Sequence, residues 1–171
     1  MDHLSDTYSE LLTTVSRLSE EQLYYKTEKS SWSIAECVEH IAISENSLSG
    51  AFDTAMKTVT SPDSIVKAAM TDEQILGFIE SRQQKVKTSE AFEPSGQFDG
   101  YEGSLNAFEA KRRANLDLVE TSEVDMRNHF FDFPFAKMDA YQIILFMSGH
   151  AKRHTDQIKE IMAHEDFPTA E

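Results

Sequence analysis

The sequence predicts an all-α protein, a four-helix bundle with additional short helices. Three observations carry that prediction. Apolar residues recur at spacings of three and four along four long segments, the period of a helix with one buried face. Only four prolines and six glycines interrupt 171 residues, which leaves room for long helices. No segment shows the two-residue alternation of a half-buried strand. A chain of this length fits one domain, residues 1–171, with a core of its own.

The first apolar stripe is Leu4, Tyr8, Leu11, Val15 and Leu18, roughly 16 residues of helix. "LSEEQLYYKTEKSS" then breaks the pattern and is expected to hold one short helical turn. Ser33 opens the second long helix: "SIAE" reads as a capping box, with Ser33 as N-cap and Glu36 at N3. Ile34, Val38, Ile41, Leu48, Phe52 and Met56 continue that stripe, and Ser61-Pro62 ends it. "TDEQ", Thr71 to Gln74, is a second possible box. Ile75, Phe78, Ile79, Arg82 and Val86 follow it in a helix of about 15 residues. "EPSGQFDGYEGS", Glu93 to Ser104, carries Pro94, Gly96, Gly100 and Gly103 and reads as loop. A loop of this length in a compact domain either covers a site or is a plain surface connection. The third long helix is expected over Leu105 to Glu120, with Leu105, Phe108, Leu116 and Val119 inward. "HFFDFPFAK" interrupts it with Pro134 inside an aromatic cluster. The last helix starts at Asp139, an N-cap with Gln142 at N3, and runs to about His164.

Charge removes several functions. Thirty acidic residues against 16 basic ones give a net charge of −14. Such a surface repels phosphate backbones and anionic lipid, so neither nucleic acid nor a membrane is expected as a partner. The densest basic group, Lys111-Arg112-Arg113, reads as a solvated helix face. No apolar run reaches the roughly 20 residues of a membrane span, and the N-terminus lacks the pattern of a secretory signal. The single cysteine, Cys37, excludes an internal disulfide and agrees with a cytoplasmic location.

The apolar stripe of the last helix is Ile143, Met147, His150, His154, Ile158 and Ile161. Two histidines therefore stand in its inward seam, four residues apart, where both imidazoles can reach one ion. His-x3-His alone is a weak signal, and on spacing alone two packed histidines bonded to backbone or water are the better account of it. Two points favour a metal. Paired buried imidazoles without partners would leave unsatisfied nitrogens, at about 1–3 kcal/mol each. His40, on the second helix one turn past Glu36, can supply a third ligand. Three histidines with an open position are the pattern of a catalytic site rather than a structural one. A di-iron carboxylate centre is excluded: position 147 is Met and position 37 is Cys, so neither His150 nor His40 ends a Glu-x-x-His motif. His3 and His164 lie near the chain ends and are expected in solvent. His129 receives no role. Cys37 reads as a small buried hydrophobe, Glu36 as a cap, and Trp32 as a wall of the pocket or of the core. Gln157 can orient a ligand or sit exposed on its helix. No nucleophile elbow, phosphate loop or dinucleotide fingerprint is present.

These features together resemble the DinB-like superfamily, also called DinB/YfiT-like. The stretches that carry the resemblance are "WSIAECVEHIAISE" around His40, "KTSEAFEPSG" before the long loop, and "MDAYQIILFMSGHAKRHTDQIKEI" around His150 and His154. The family pattern is one histidine on the second helix and His-x3-His on the fourth, and His40, His150 and His154 match it. The resemblance implies a four-helix bundle with a three-histidine site for nickel, zinc or iron, completed by water. It also implies frequent homodimers. Some members resemble S-transferases or isomerases that use a low-molecular-weight thiol, and others are labelled hydrolases. Two expectations follow. One is a divalent-metal-dependent transferase or hydrolase acting on a small molecule, with metal-bound water or thiolate as the attacking group. The other is a non-enzymatic, stress-related bundle that binds a metal or ligand and dimerises.

Overall fold

The computed structural model describes residues 2–58, 68–80 and 88–169. Among the described residues six α-helices run in order: α1 (Asp2–Val15), α2 (Glu20–Tyr24), α3 (Ile34–Lys57), α4 (Asp72–Glu80), α5 (Gly100–Thr121) and α6 (Ala140–Met162). Two strands, β1 (Phe130–Asp132) and β2 (Lys137–Asp139), form a small antiparallel hairpin before α6.

Local chemistry sets several helix starts. Ser33 and Glu36 exchange side-chain-to-backbone bonds at the head of α3, as do Asp139 and Gln142 at the head of α6. Thr71 and Gln74 do the same before α4. A further box, Ser19 with Gln22, opens α2 inside the segment read only as a short turn.

The four long helices pack in a ring. α1 packs on α6 and α5, and α3 packs on α5 and α6, so α1 and α3 face each other across the diagonal. α4 lies against α6. Gly149 permits this, because a Cβ there would stand 3.2 Å from Ile79 Cγ2. α3 is buried nearly all round, as expected of a helix with neighbours on several sides.

Two apolar clusters fill the ring. One gathers Leu4, Leu48, Phe52, Ile75, Ile79, Val119, Ile143 and Met147. The other gathers Leu11, Val15, Ile34, Val38, Ile41, Phe108, Ala151, Ile158 and Ile161. Between them along α3 and α5 lies a polar layer. The guanidinium of Arg112 donates to Glu45 through Nε (2.7 Å) and Nη2 (2.9 Å), and through Nη1 to Leu4 O and Thr7 Oγ1. Asn115 bonds Glu45 and accepts from Ser49.

Several readings of the sequence are corrected here. Arg112 is no solvated residue: it is fully buried, because Glu45 on another helix neutralises it. The stretch Glu93 to Ser104 is loop only to Asp99; Gly100 already begins α5. Gly103 serves close approach rather than chain breaking, since a Cβ there would overlap Phe98 O at 1.6 Å. Phe78, counted in the periodic pattern of α4, is exposed, and His164, expected in solvent, is half-buried with Nδ1 2.7 Å from Tyr25 Oη. The aromatic interruption forms the hairpin, too short to show alternation. Ser61-Pro62, Arg82 and Val86 lie outside the described residues.

Candidate metal centre

α3 and α6 pack side by side, and that contact brings three histidines together. The capping box at Ser33 starts α3 so that His40 faces α6. The apolar seam of α6 turns His150 and His154 back toward it. One ring nitrogen from each of His40, His150 and His154 lies within 4.8 Å of the others. His40 Nε2 and His150 Nε2 are 3.2 Å apart. Two ligand nitrogens on one tetrahedral ion would sit about 3.3–3.4 Å apart, given metal–nitrogen bonds of about 2.0–2.1 Å. His40 and His154 are buried, and His150 is half-buried at the rim.

The outer nitrogens of two rings are already engaged. His40 Nδ1 lies 2.7 Å from the carbonyl oxygen of Phe92. His154 Nδ1 lies 2.9 Å from Gln157 Oε1. Both partners are acceptors, so each Nδ1 carries the proton and each Nε2 keeps its lone pair. Desolvation pushes the His40 pKa down, against the opposing pull of the Phe92 carbonyl. His150 is held well below the usual imidazole range, by desolvation first and then by His154, His40, Arg153 and Arg112. His40 and His150 are therefore held as neutral imidazoles, the form that ligates metal.

Rings close the surroundings. Trp32 packs on His40 and His154 at centroid distances of 4.8 and 6.2 Å. Phe146 lies nearly parallel to His150, at 6.4 Å and 9°. Trp32 also packs against the second apolar cluster, so it touches both the histidine rings and the core, and Gln157 bonds His154. Glu36 stays with its cap and with Lys26. Cys37 is buried in an apolar cluster. His129 is remote from the site: its Nδ1 faces Ala55 O, 15 residues beyond His40 on α3 and so about 22 Å away along the axis.

Sequence reasoning missed two contributors. One is the Phe92 carbonyl, a backbone atom that no side-chain pattern announces. The other is Glu39, whose buried carboxylate accepts three consecutive amides through Oε1: Ser95 N (3.0 Å), Gly96 N (2.7 Å) and Gln97 N (3.0 Å). An acidic residue beside His40 was visible, but its partners are main-chain groups more than 50 residues away.

Comparison with known proteins agrees with this architecture. A family model described as the DinB superfamily matches residues 3–158. Among solved structures, YfiT from Bacillus subtilis superposes with a TM-score of 0.62 at 16% identity, covering 95% of this chain and 83% of that one. That protein is described as a probable metal-dependent hydrolase with an unusual four-helix bundle topology. The likeness establishes the shared fold. No curated protein matches the chain.

Proposed function

The chain belongs to the DinB superfamily, and from that premise we propose that it is a divalent-metal-dependent enzyme acting on small electrophiles. In this reading His40, His150 and His154 hold the ion, which is nickel, zinc or iron. In the reaction the sulfur of a low-molecular-weight thiol bonds to the electrophilic carbon as that carbon's bond to oxygen or chlorine breaks: an epoxide opens to an alcohol that takes up the thiol proton, or a chlorinated carbon releases chloride and the proton. The observation that carries the proposal is the convergence of three histidine ring nitrogens from two helices.

The donor chemistry fits a first-row divalent ion. Each residue has a definite task. His40 and His154 present Nε2 because Phe92 and Gln157 occupy their Nδ1 protons. Desolvation disfavours the second, charging proton on His40 and His150, so these ligands need not be stripped before binding. Trp32 and Phe146 shield the rings from water on two sides. A bound ion would supply a Lewis acid that lowers the pKa of a thiol or a water molecule. His150, the one ligand at the rim, marks the side from which a small substrate would approach.

Hydrolysis is the second reading, favoured by the description of YfiT as a probable metal-dependent hydrolase. Metal analysis of purified wild type and His154→Ala tests both readings. About one ion per chain is expected in the wild type and a sharp loss in the variant. Equal, near-zero content in both overturns the proposal. Loaded protein offered epoxide and chlorinated probes then separates the two reactions. Product that requires added thiol indicates transfer, and product in water alone indicates hydrolysis. Retained metal without product across a broad panel favours a binding role.

A further inference from the structure

We propose that Glu39 is a positioning residue for His40, acting through the loop that joins Phe92 to Gln97. The inference rests on the metal-site reading for its purpose, though not for its geometry. Glu39 and His40 are consecutive on α3, and both bond the same loop. His40 Nδ1 meets Phe92 O at 2.7 Å, and Glu39 Oε1 gathers the amides of Ser95, Gly96 and Gln97 at 2.7–3.0 Å.

Among the described residues the loop is also held by Phe98, half-buried against the second apolar cluster. None of the residues from Thr88 to Asp99 is buried. Its internal backbone bonds are short-range, such as Phe92 N to Ser89 O and Asp99 N to Gly96 O. Gly96 takes a φ of +78°, a conformation that lets successive amides turn toward one acceptor. Bonds from N–H groups to a carboxylate are roughly twice as strong as neutral ones. Three of them converge on one oxygen of the buried Glu39, which ties this loop to α3. Releasing the tether frees Phe92 O to drift from His40. The His40 proton is then no longer confined to Nδ1, and Nε2 loses its reserved lone pair.

The experiment reads the tautomer of His40 directly. Imidazole 15N shifts are recorded on metal-free protein for wild type, Glu39→Ala, Glu39→Gln and a control, Val119→Ala, in the other apolar cluster. Zinc affinity is measured beside them by chelator competition. The wild type is expected to hold its proton on Nδ1. Glu39→Ala is expected to show mixed tautomers and about tenfold weaker zinc binding. Glu39→Gln, which keeps an acceptor oxygen of the same reach, is expected to restore most of the Nδ1 tautomer. Val119→Ala is expected to leave both readouts unchanged despite its cavity. An unchanged tautomer and affinity in Glu39→Ala overturns the proposal. So does a wild-type proton on Nε2, or a tautomer shift in the control. If the tautomer shifts as expected but wild type binds no ion, the positioning role stands and the metal reading falls.

Discussion

At His150, desolvation and the neighbouring His154, His40, Arg153 and Arg112 all act against protonation. The unfolded chain titrates this imidazole near 6.5, and the folded chain well below that. Between the two values the unfolded state binds more protons. Stability is therefore complete above about pH 6.5 and is lost as pH falls below it. Metal-free protein is expected to melt at a lower temperature at pH 5.5 than at 7.5. His150→Gln should flatten that slope; an equally steep slope in the variant would assign it to other groups. Arg112 raises a different issue. Its guanidinium is buried against Glu45, so removing it leaves a carboxylate without its counter-charge. Arg112→Ala is expected to cost about 3–5 kcal/mol in urea unfolding, and adding Glu45→Leu should recover part of the loss. A basic triplet on a helix gives no hint of this, because the partner lies 67 residues away. The three clustered histidines were more legible. Their four-residue spacing lies on one apolar stripe, and periodicity exposes a misplaced polar residue. Glu39 left no such trace, since its partners are backbone amides.

The helix starts were readable because capping is local: Ser33 with Glu36, and Asp139 with Gln142, lie three residues apart. Tertiary contacts were less readable. Gly100 and Gly103 look like chain breakers, yet both lie in the first turn of α5, where Phe98 O occupies the space a Gly103 side chain would need. Gly103→Ala is therefore expected to push the loop off α5, lowering the melting temperature by several degrees and weakening zinc binding through Phe92. An alanine that changes neither would mean that the loop relaxes without disturbing His40. The hairpin escaped notice because three-residue strands show no period. At the N-terminus of α3, Ser33→Ala should cost about 1 kcal/mol in thermal or urea unfolding. The loss should leave the tautomer of His40 unchanged, since the cap lies two turns away.

Across the whole molecule, the ring order brings α3 beside α6 and leaves α1 opposite α3. The three histidines thus meet only after α3 and α6 have packed. A ligand that binds the folded state alone raises stability by about 2.7 kcal/mol at a free concentration 100 times its dissociation constant. Zinc or nickel should therefore raise the melting temperature of the wild type and leave His154→Ala unmoved. Equal shifts in both would locate ion binding on the acidic surface, where a net charge of −14 offers many weak sites. No helix among the described residues is long and apolar enough to cross a membrane.

His40 and His150 are 110 residues apart in the chain. An ion shared between them would tie that whole length into a closed loop. A permanent bond closing a loop of about 100 residues restricts the unfolded chain by roughly 4–5 kcal/mol. With its single cysteine, this chain can form no such bond from sulfur. Its staple would be one that a chelator unfastens, so the rate of unfolding, and with it resistance to proteases, would follow the supply of metal.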